Sequence, residues 1–233
     1  LKMKKYLLLL FLSIAFSVNS QQLRFNCIEF AAEPNSEDKV AELFDKFYAE
    51  KKFKSGGVVL ESLGAGIRSE RTHRLVFMWE KDKWGMEEEL AEFESDAFWR
   101  GVGNYINSDV PPYSYAGRIH SWKEGNTDVT SSVHIWDFKP ADPVAFKKAH
   151  DKIVKDASAA FEDRTVGFGT YDVNQPNGAT HWVVITGRNI GDHIELIDLM
   201  ETKYTKELTK YFEDRSEVNH IRDFVVDIVK RYQ

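Results

Sequence analysis

The segment Thr72-His73-Arg74-Leu75-Val76-Phe77-Met78-Trp79-Glu80 decides the fold, because a related segment occurs a second time later in the chain. The second copy reads Thr180-His181-Trp182-Val183-Val184-Ile185-Thr186-Gly187-Arg188. Both copies begin with Thr-His and continue as apolar, β-prone runs of the length of an inner strand. The offset that takes Thr72 to Thr180 relates two further segment pairs: Val58 and Leu60 with Val166 and Phe168, and Glu29-Phe30 with Asp137-Phe138. Three segments in one register indicate an internal duplication.

Residues 1–20 have the composition of a secretory signal peptide. Three lysines, Lys2, Lys4 and Lys5, precede an apolar run at 6–18, and residues 18–20 offer small side chains where a signal peptidase cleaves. The apolar run is too short to cross about 30 Å of hydrocarbon. We therefore expect cleavage near Gln21, a secreted or periplasmic protein, and no membrane span after cleavage.

Composition excludes several classes of function. The 233-residue chain has a formal net charge of −6, whereas nucleic-acid binding requires clustered Lys and Arg. Its single cysteine, Cys27, rules out an internal disulfide and is expected to be a buried, inert thiol. The chain has no HExxH, CxxC or GxSxG motif, and its seven histidines have no metal-ligand spacing. No metal and no cofactor are predicted.

Hydrophobic periodicity predicts the element order βαββαβ twice. In the first unit we expect strands at 23–31, 58–63, 72–80 and 113–122, with a helix that starts near residue 36 and a second helix at 84–105. In the second we expect strands at 132–138, 165–173, 180–188 and 219–229, with helices at 143–160 and 194–214. The predicted buried face of the 84–105 helix consists of Leu90, Phe93, Ala97 and Phe98. The polar segment 124–131 reads as a linker between a repeat at 21–123 and a repeat at 132–233.

A βαββαβ unit forms a four-stranded antiparallel sheet with both helices on one face. Because the other face needs a partner, we predict an α+β fold of two tandem ferredoxin-like repeats packed sheet to sheet as a pseudo-dimeric α/β barrel. This pattern resembles the dimeric α/β-barrel superfamily in a fused form. That superfamily includes antibiotic-biosynthesis monooxygenase-like, stress-responsive barrel and NIPSNAP-like proteins. Trp79-Glu80, followed by a helix containing Glu94-Ser95-Asp96-Ala97-Phe98-Trp99, is similar to the NIPSNAP pattern. The Asn, Trp and His set of its haem-degrading members has no counterpart that can be placed here, so no catalytic role is transferred.

Two matched residue pairs are the candidates for catalysis. His73 and His181 occupy equivalent strand starts and would act as a ligand or proton-transfer pair, although a repeated packing feature is the favoured interpretation. Glu29 and Asp137 lie inside apolar strands, where an unpaired carboxylate is costly. They would serve as a base or a polar anchor, or they would form salt bridges with Arg74, Arg118 or Arg188.

Aromatic residues on the strands suggest an apolar ligand cavity between sheet and helices. Its predicted walls are Phe30, Trp79, His134, Trp136, Phe168 and Trp182. The leading hypothesis is an exported protein, monomer or homodimer, that binds a small, mostly apolar or aromatic ligand in this cavity. One alternative is a cofactor-independent monooxygenase or isomerase in which a histidine or carboxylate takes a proton from the substrate. The other is a non-catalytic interaction protein with a large exposed apolar area.

Overall fold

The computed structural model describes residues 23–233, so the predicted signal peptide lies outside the described part. The first half comprises β1 (Leu23–Phe30), α1 (Glu37–Tyr48), β2 (Gly57–Leu63), β3 (His73–Glu80), α2 (Glu92–Gly103) and β4 (Tyr113–Lys123). The second half comprises β5 (Ser132–Pro140), α3 (Pro143–Asp156), β6 (Val166–Val173), β7 (His181–Gly187), α4 (Ile190–Thr202), α5 (Thr205–Asp214) and β8 (Val218–Tyr232). Within residues 23–233, no helix is long and apolar enough to cross a membrane.

The eight strands form one closed antiparallel barrel in the order β1-β3-β2-β8-β5-β7-β6-β4. The order β4-β1-β3-β2 of the first half recurs in the second half as β8-β5-β7-β6. The pairing register recurs as well. Phe30 pairs with His73 as Phe138 pairs with His181, and the second pair is related to the first by the offset seen in the sequence. The segment that repeats in the sequence therefore occupies equivalent central strands, β3 and β7.

The two halves meet along hydrogen-bonded strand edges. β2 pairs with β8 and β4 pairs with β6, so the sheet closes without a free edge. The α+β barrel that the sequence predicts is thereby confirmed, as one continuous closed sheet. At the β4–β6 edge, a Cβ on Gly117 would lie 1.8 Å from the Thr170 carbonyl oxygen, and glycine allows this close approach of backbones.

Two predicted helices differ from the observed ones. The helix expected at 84–105 begins only at Glu92, because Gly85 has a φ of +96° and Met86 forms a β-bridge with Phe53. In this shorter helix Phe98 is buried, whereas Phe93, expected on the buried face, is 72% exposed.

The helix expected at 194–214 is two helices, α4 and α5, which are separated near residue 203. At the break the Thr205 hydroxyl donates to the carbonyls of Glu201 and Thr202, and the Thr202 hydroxyl donates to the Asp198 carbonyl. Such side-chain bonds compete with the helical backbone ladder.

The core has an interior part and two outer parts. Inside the barrel, a cluster that includes Phe25, Tyr115, Tyr171 and Trp182 fills much of the volume. Outside, α1 and α2 cover the sheet of the first half, and α3 to α5 cover that of the second half. The two outer layers differ in how completely they fill the space beneath the helices, and this difference positions the candidate site.

Candidate functional site

An apolar cavity of about 420 Å³ lies between the outer face of the second half of the barrel and helices α3, α4 and α5. Its floor is formed by outward-facing strand residues, Trp136, Phe138, Val166, Val183 and Ile185. Its roof comes from the inner faces of the helices, including Phe146, Ile153, Leu196, Met200 and Tyr211. At its rim, Ile197 is 46% exposed and Phe212 is 53% exposed. A cavity of this size and polarity is typical of a site for a small apolar molecule.

The corresponding space in the first half is filled by aromatic side chains. The Phe47 ring stacks on that of Phe98 with centroids 4.1 Å apart, and the Phe44 ring meets Phe98 edge-on at 5.1 Å. Phe44 and Phe98 belong to a cluster that reaches down to Phe30 on β1. The two halves of the barrel therefore differ, with a packed aromatic layer under α1 and α2 and an open cavity under α3 to α5.

Two histidines bring polar atoms into the apolar cavity. His150 lies on α3 and is 4% exposed, and His193 lies on α4 and is also 4% exposed. Nε2 of His150 is buried without a hydrogen-bond partner. The ring nitrogens of His193 are also buried, and the backbone of Ser132 is the polar group next to this ring. A buried polar atom without a partner costs about 1–3 kcal/mol, so Nε2 of His150 calls for a functional explanation.

A third histidine lies beside the cavity and is held by an acidic partner. Nε2 of His134 is 3.0 Å from Oδ2 of Asp223, and its ring lies over Trp136 with centroids 3.7 Å apart. The rings of His134 and His193 are 5.4 Å apart, and Nδ1 of His134 is buried without a partner. Asp223, His134 and His193 thus form a line that ends in the cavity.

His193 is expected to remain neutral well below pH 6. Burial, with further contributions from His134 and Arg164, lowers the pKa of His193 to about 4. An unfolded chain would protonate this ring near pH 6.5, so the unfolded state gains protons first as the pH falls. The free energy of unfolding should therefore decrease as the pH falls from 6.5 towards 4.

NMR titration of the histidine rings and urea unfolding at several pH values would check this expectation. His193→Phe should reduce the loss of stability between pH 6.5 and 4, because it removes the proton uptake. A His193 ring that titrates near pH 6.5 in the folded protein would contradict the assignment.

The matched carboxylates Glu29 and Asp137 meet inside the barrel around one arginine. Oδ2 of Asp137 accepts from Nε of Arg222 at 2.7 Å, and Oδ1 accepts from the Tyr171 hydroxyl at 2.6 Å. Oε1 of Glu29 accepts from the Tyr115 hydroxyl at 3.0 Å and lies 4.0 Å from Nη2 of Arg222. Burial raises the pKa of Asp137, and the Arg222 charge and the Tyr171 hydroxyl oppose this effect. The structure thus brings the two predicted carboxylates together.

The three arginines that the sequence offered as salt-bridge partners all bind other acids. Arg74 pairs with Glu61, Arg118 with Asp172, and Arg188 with Asp192. The prediction of these partners was wrong, because β8 crosses between the halves and brings Arg222 to Asp137 from 85 positions along the chain. Neither periodicity nor spacing carries information about that neighbour.

His73 and His181 lie on equivalent outer faces of separate halves. Each Nδ1 is 2.8 Å from the hydroxyl oxygen of the preceding threonine, and the rings stack on Phe30 and Phe138 respectively. The stacked rings are 5.6 Å apart in the first half and 6.1 Å apart in the second. This repeated geometry supports the packing interpretation of the Thr-His pair.

Of the six predicted ligand-binding residues, Trp136 lines the cavity and His134 stacks beside it. Trp182 belongs to the cluster inside the barrel, and Phe30 belongs to the packed aromatic layer of the first half. Phe168 is fully buried against Phe146, and Trp79 contacts Trp84 near the surface of the first half.

Sequence reasoning missed His150 and His193. His150 falls on the buried stripe of its helix together with Phe146, Ala149 and Ile153, so a histidine within an apolar stripe was the available signal. His193 had no such signal, because it lies in the first turn of a helix that was predicted to begin after it. Cys27 is buried, and burial raises the pKa of its thiol to about 12, as expected for an inert thiol.

Across residues 23–233, no three His, Cys, Asp or Glu side chains are grouped so that they could hold a metal ion.

Comparison with solved structures identifies the fold. A candidate monooxygenase from Lactobacillus acidophilus NCFM is 11% identical, covers 91% of this chain and 96% of its own, and has a TM-score of 0.60. A candidate monooxygenase from Fusobacterium nucleatum subsp. nucleatum ATCC 25586 is 15% identical, covers 91% of this chain and 94% of its own, and has a TM-score of 0.57. A chlorite dismutase from Candidatus Nitrospira defluvii is 9% identical, covers 90% of this chain and 92% of its own, and has a TM-score of 0.47. No family model and no curated protein matches the sequence. The first two likenesses show the fold of a dimeric α/β barrel.

Proposed function

We propose that this dimeric α/β-barrel protein binds a small, mostly apolar and planar ligand in the cavity beneath α3, α4 and α5. The observation that carries the proposal is an apolar space of about 420 Å³ that is lined by the imidazole rings of His150 and His193, with Nε2 of His150 lacking a partner. Apolar walls supply binding free energy, at about 25 cal/mol per Å² of buried apolar surface. The imidazoles would fix the ligand's orientation by accepting or donating hydrogen bonds.

The proposal is tested by titration with planar aromatic compounds, using tryptophan fluorescence as the signal. The probes are 1-naphthol, anthraquinone-2-sulfonate and haemin. We expect at least one to give saturable quenching that Trp136→Phe greatly reduces, because Trp136 lines the cavity. The matched control is Trp84→Phe, which alters a tryptophan that is 55% exposed in the first half. Absence of saturable quenching by all three probes, or an equal signal from Trp136→Phe, would refute the proposal.

A second candidate function is cofactor-independent oxygenation or isomerisation of the bound ligand. The first two fold neighbours are described as candidate monooxygenases, and His150 and His193 both line the cavity with imidazole rings. Burial lowers the pKa of His193 to about 4, so this ring is a neutral base near pH 7. An imidazole would take a proton from an activated C–H group of the ligand. Oxygen consumption that depends on the ligand would distinguish oxygenation from binding alone, and ligand rearrangement without oxygen consumption would indicate isomerisation. Loss of either reaction in His150→Gln or His193→Gln, with ligand affinity retained, would support the catalytic assignment.

The duplication and the compartment are also proposals. The recurrence of strand order and register at one constant sequence offset supports a fusion of two ferredoxin-like repeats. The composition of residues 1–20 supports export to the periplasm or the medium.

A further inference from the structure

A second, polar space of about 850 Å³ opens at one mouth of the barrel. It opens at the end of the barrel, whereas the apolar cavity lies on the outer side of the sheet beneath the helices, and His220 lines both spaces. Its walls come from both halves: the loop between β2 and β3, Tyr113 at the start of β4, Asn177 from the loop between β6 and β7, and residues 220–223 of β8. His220 is the one lining residue that the two spaces share among the described residues, and the arginines that argue for a second ligand do not line the apolar cavity.

Three arginines surround the polar space, although the whole chain is acidic. Arg222 forms the inner wall, and its Nη2 is buried without a hydrogen-bond partner. Arg71 lies over the Tyr113 ring at 5.2 Å and donates from Nε and Nη2 to the Pro111 carbonyl oxygen. Arg68 is exposed and has no hydrogen-bond or ion-pair partner within the described part of the chain. Guanidinium groups in such a cluster are typical of sites for carboxylate or phosphate.

The arginines of the loop are specific to one half of the duplicated chain. At the offset that relates the two halves, Arg68 and Arg71 correspond to Pro176 and Ala179. Glu29 and Asp137, in contrast, are acidic in both halves. The loop thus places positive charge on one side of the mouth, which suits a ligand with a single charged end.

Hydrogen-bond acceptors also line the polar space, beside the three arginines. Glu29 lines the space, and only its Oε1 is engaged by the Tyr115 hydroxyl. Ser69 and Asn177 supply further oxygens, whereas Asp223 already contacts His134 and His220. A simple anion would leave these acceptors unused and would be repelled by Glu29. A ligand with hydroxyl groups would donate to them while its carboxylate binds the arginines.

We propose that the barrel mouth binds a hydroxylated carboxylate of sugar-acid size. The anionic end binds Arg68 and Arg71, and the hydroxyl groups reach Glu29 and the unpartnered nitrogen of Arg222. The arrangement joins residues from both halves into one site.

Isothermal titration calorimetry with three matched compounds tests this site. D-gluconate carries both a carboxylate and hydroxyls, hexanoate carries only the carboxylate, and D-glucose carries only the hydroxyls. We expect one site per chain for gluconate, with at least tenfold weaker binding of the other two. Inorganic phosphate serves as a fourth probe, and phosphate binding as tight as that of gluconate would overturn the role of the hydroxyls. Failure of gluconate to bind saturably would overturn the site.

Two arginine substitutions test whether gluconate binds at the barrel mouth. Arg68→Gln should weaken gluconate binding about tenfold or more without unfolding the protein, because the side chain is exposed and unpartnered. Arg100→Gln on α2 makes the same change in net charge away from the mouth and should leave gluconate binding unchanged. Equal losses in both variants would show that only the overall charge matters, and would overturn the proposal. Quenching of Trp136 by cavity ligands should be unaffected by Arg68→Gln, which separates a failure here from a failure of the proposed function.

Discussion

Replacing Asp137 with alanine is expected to lower the free energy of unfolding by about 3–5 kcal/mol, the usual cost of removing one partner of a buried ion pair. Asp137 is fully buried and accepts hydrogen bonds from Arg222 and Tyr171. Without it, the guanidinium of Arg222 would retain only Glu29 at 4.0 Å as an acidic neighbour, and the Tyr171 hydroxyl would lose its acceptor. Urea unfolding monitored by circular dichroism measures the change.

The matched control is Asp172→Ala, which breaks an arginine–aspartate pair at the surface. The Asp172 side chain is 33% exposed and its partner Arg118 is 54% exposed, so solvent screens the interaction. The expected loss is at most about 1 kcal/mol. Similar losses for Asp137→Ala and Asp172→Ala would show that the interior network contributes little to stability.

The interior network also shows what the sequence could predict and what it could not. Glu29 and Asp137 stood out because a carboxylate in an apolar strand needs a partner. Their partner, Arg222, could not be inferred, because it lies on β8, a strand whose position was predicted but whose neighbours β2 and β5 were not. A residue within a strand has a predictable face, but the strand's neighbours follow from topology.

The surroundings of the repeated Thr-His segment, in contrast, could be predicted from the sequence. Its interactions are local, since each histidine bonds the preceding threonine and stacks on the paired phenylalanine of the neighbouring strand. A segment that recurs in the sequence therefore reproduces this geometry in both halves. The equivalence of the β1–β3 register with the β5–β7 register could be read from the constant sequence offset alone.

The cavity could not be predicted because it depends on how completely the helices fill the space above the sheet. Symmetric reasoning assigned strand tryptophans and phenylalanines from both halves to its walls. In the first half, however, Phe44, Phe47 and Phe98 pack together and fill that space. In the second half, the break near residue 203 produces an additional helix, α5, and α3, α4 and α5 enclose an open volume. Whether an outer layer is solid or hollow follows from volumes and helix positions, which periodicity does not encode.

Val183→Phe should block the cavity and weaken the binding of the aromatic probe 8-anilinonaphthalene-1-sulfonate by roughly 5- to 150-fold, the range given by about 1–3 kcal/mol of steric conflict. Val183 lies on the cavity floor, so the larger ring would occupy space that the probe needs. Stability should change little, because that space is empty. Probe fluorescence gives the affinity, and urea unfolding gives the stability.

The next residue, Val184, provides a control with the opposite expected pattern. Successive side chains of a strand point to opposite faces, and Val184 faces the barrel interior beside Trp182, where only about 70 Å³ is free. Val184→Phe should therefore lower the free energy of unfolding by about 1–3 kcal/mol through overpacking, while the folded protein keeps its probe affinity. If Val183→Phe binds the probe as tightly as the parent protein does, the probe occupies another surface. That result would contradict the assignment of the cavity as the ligand site.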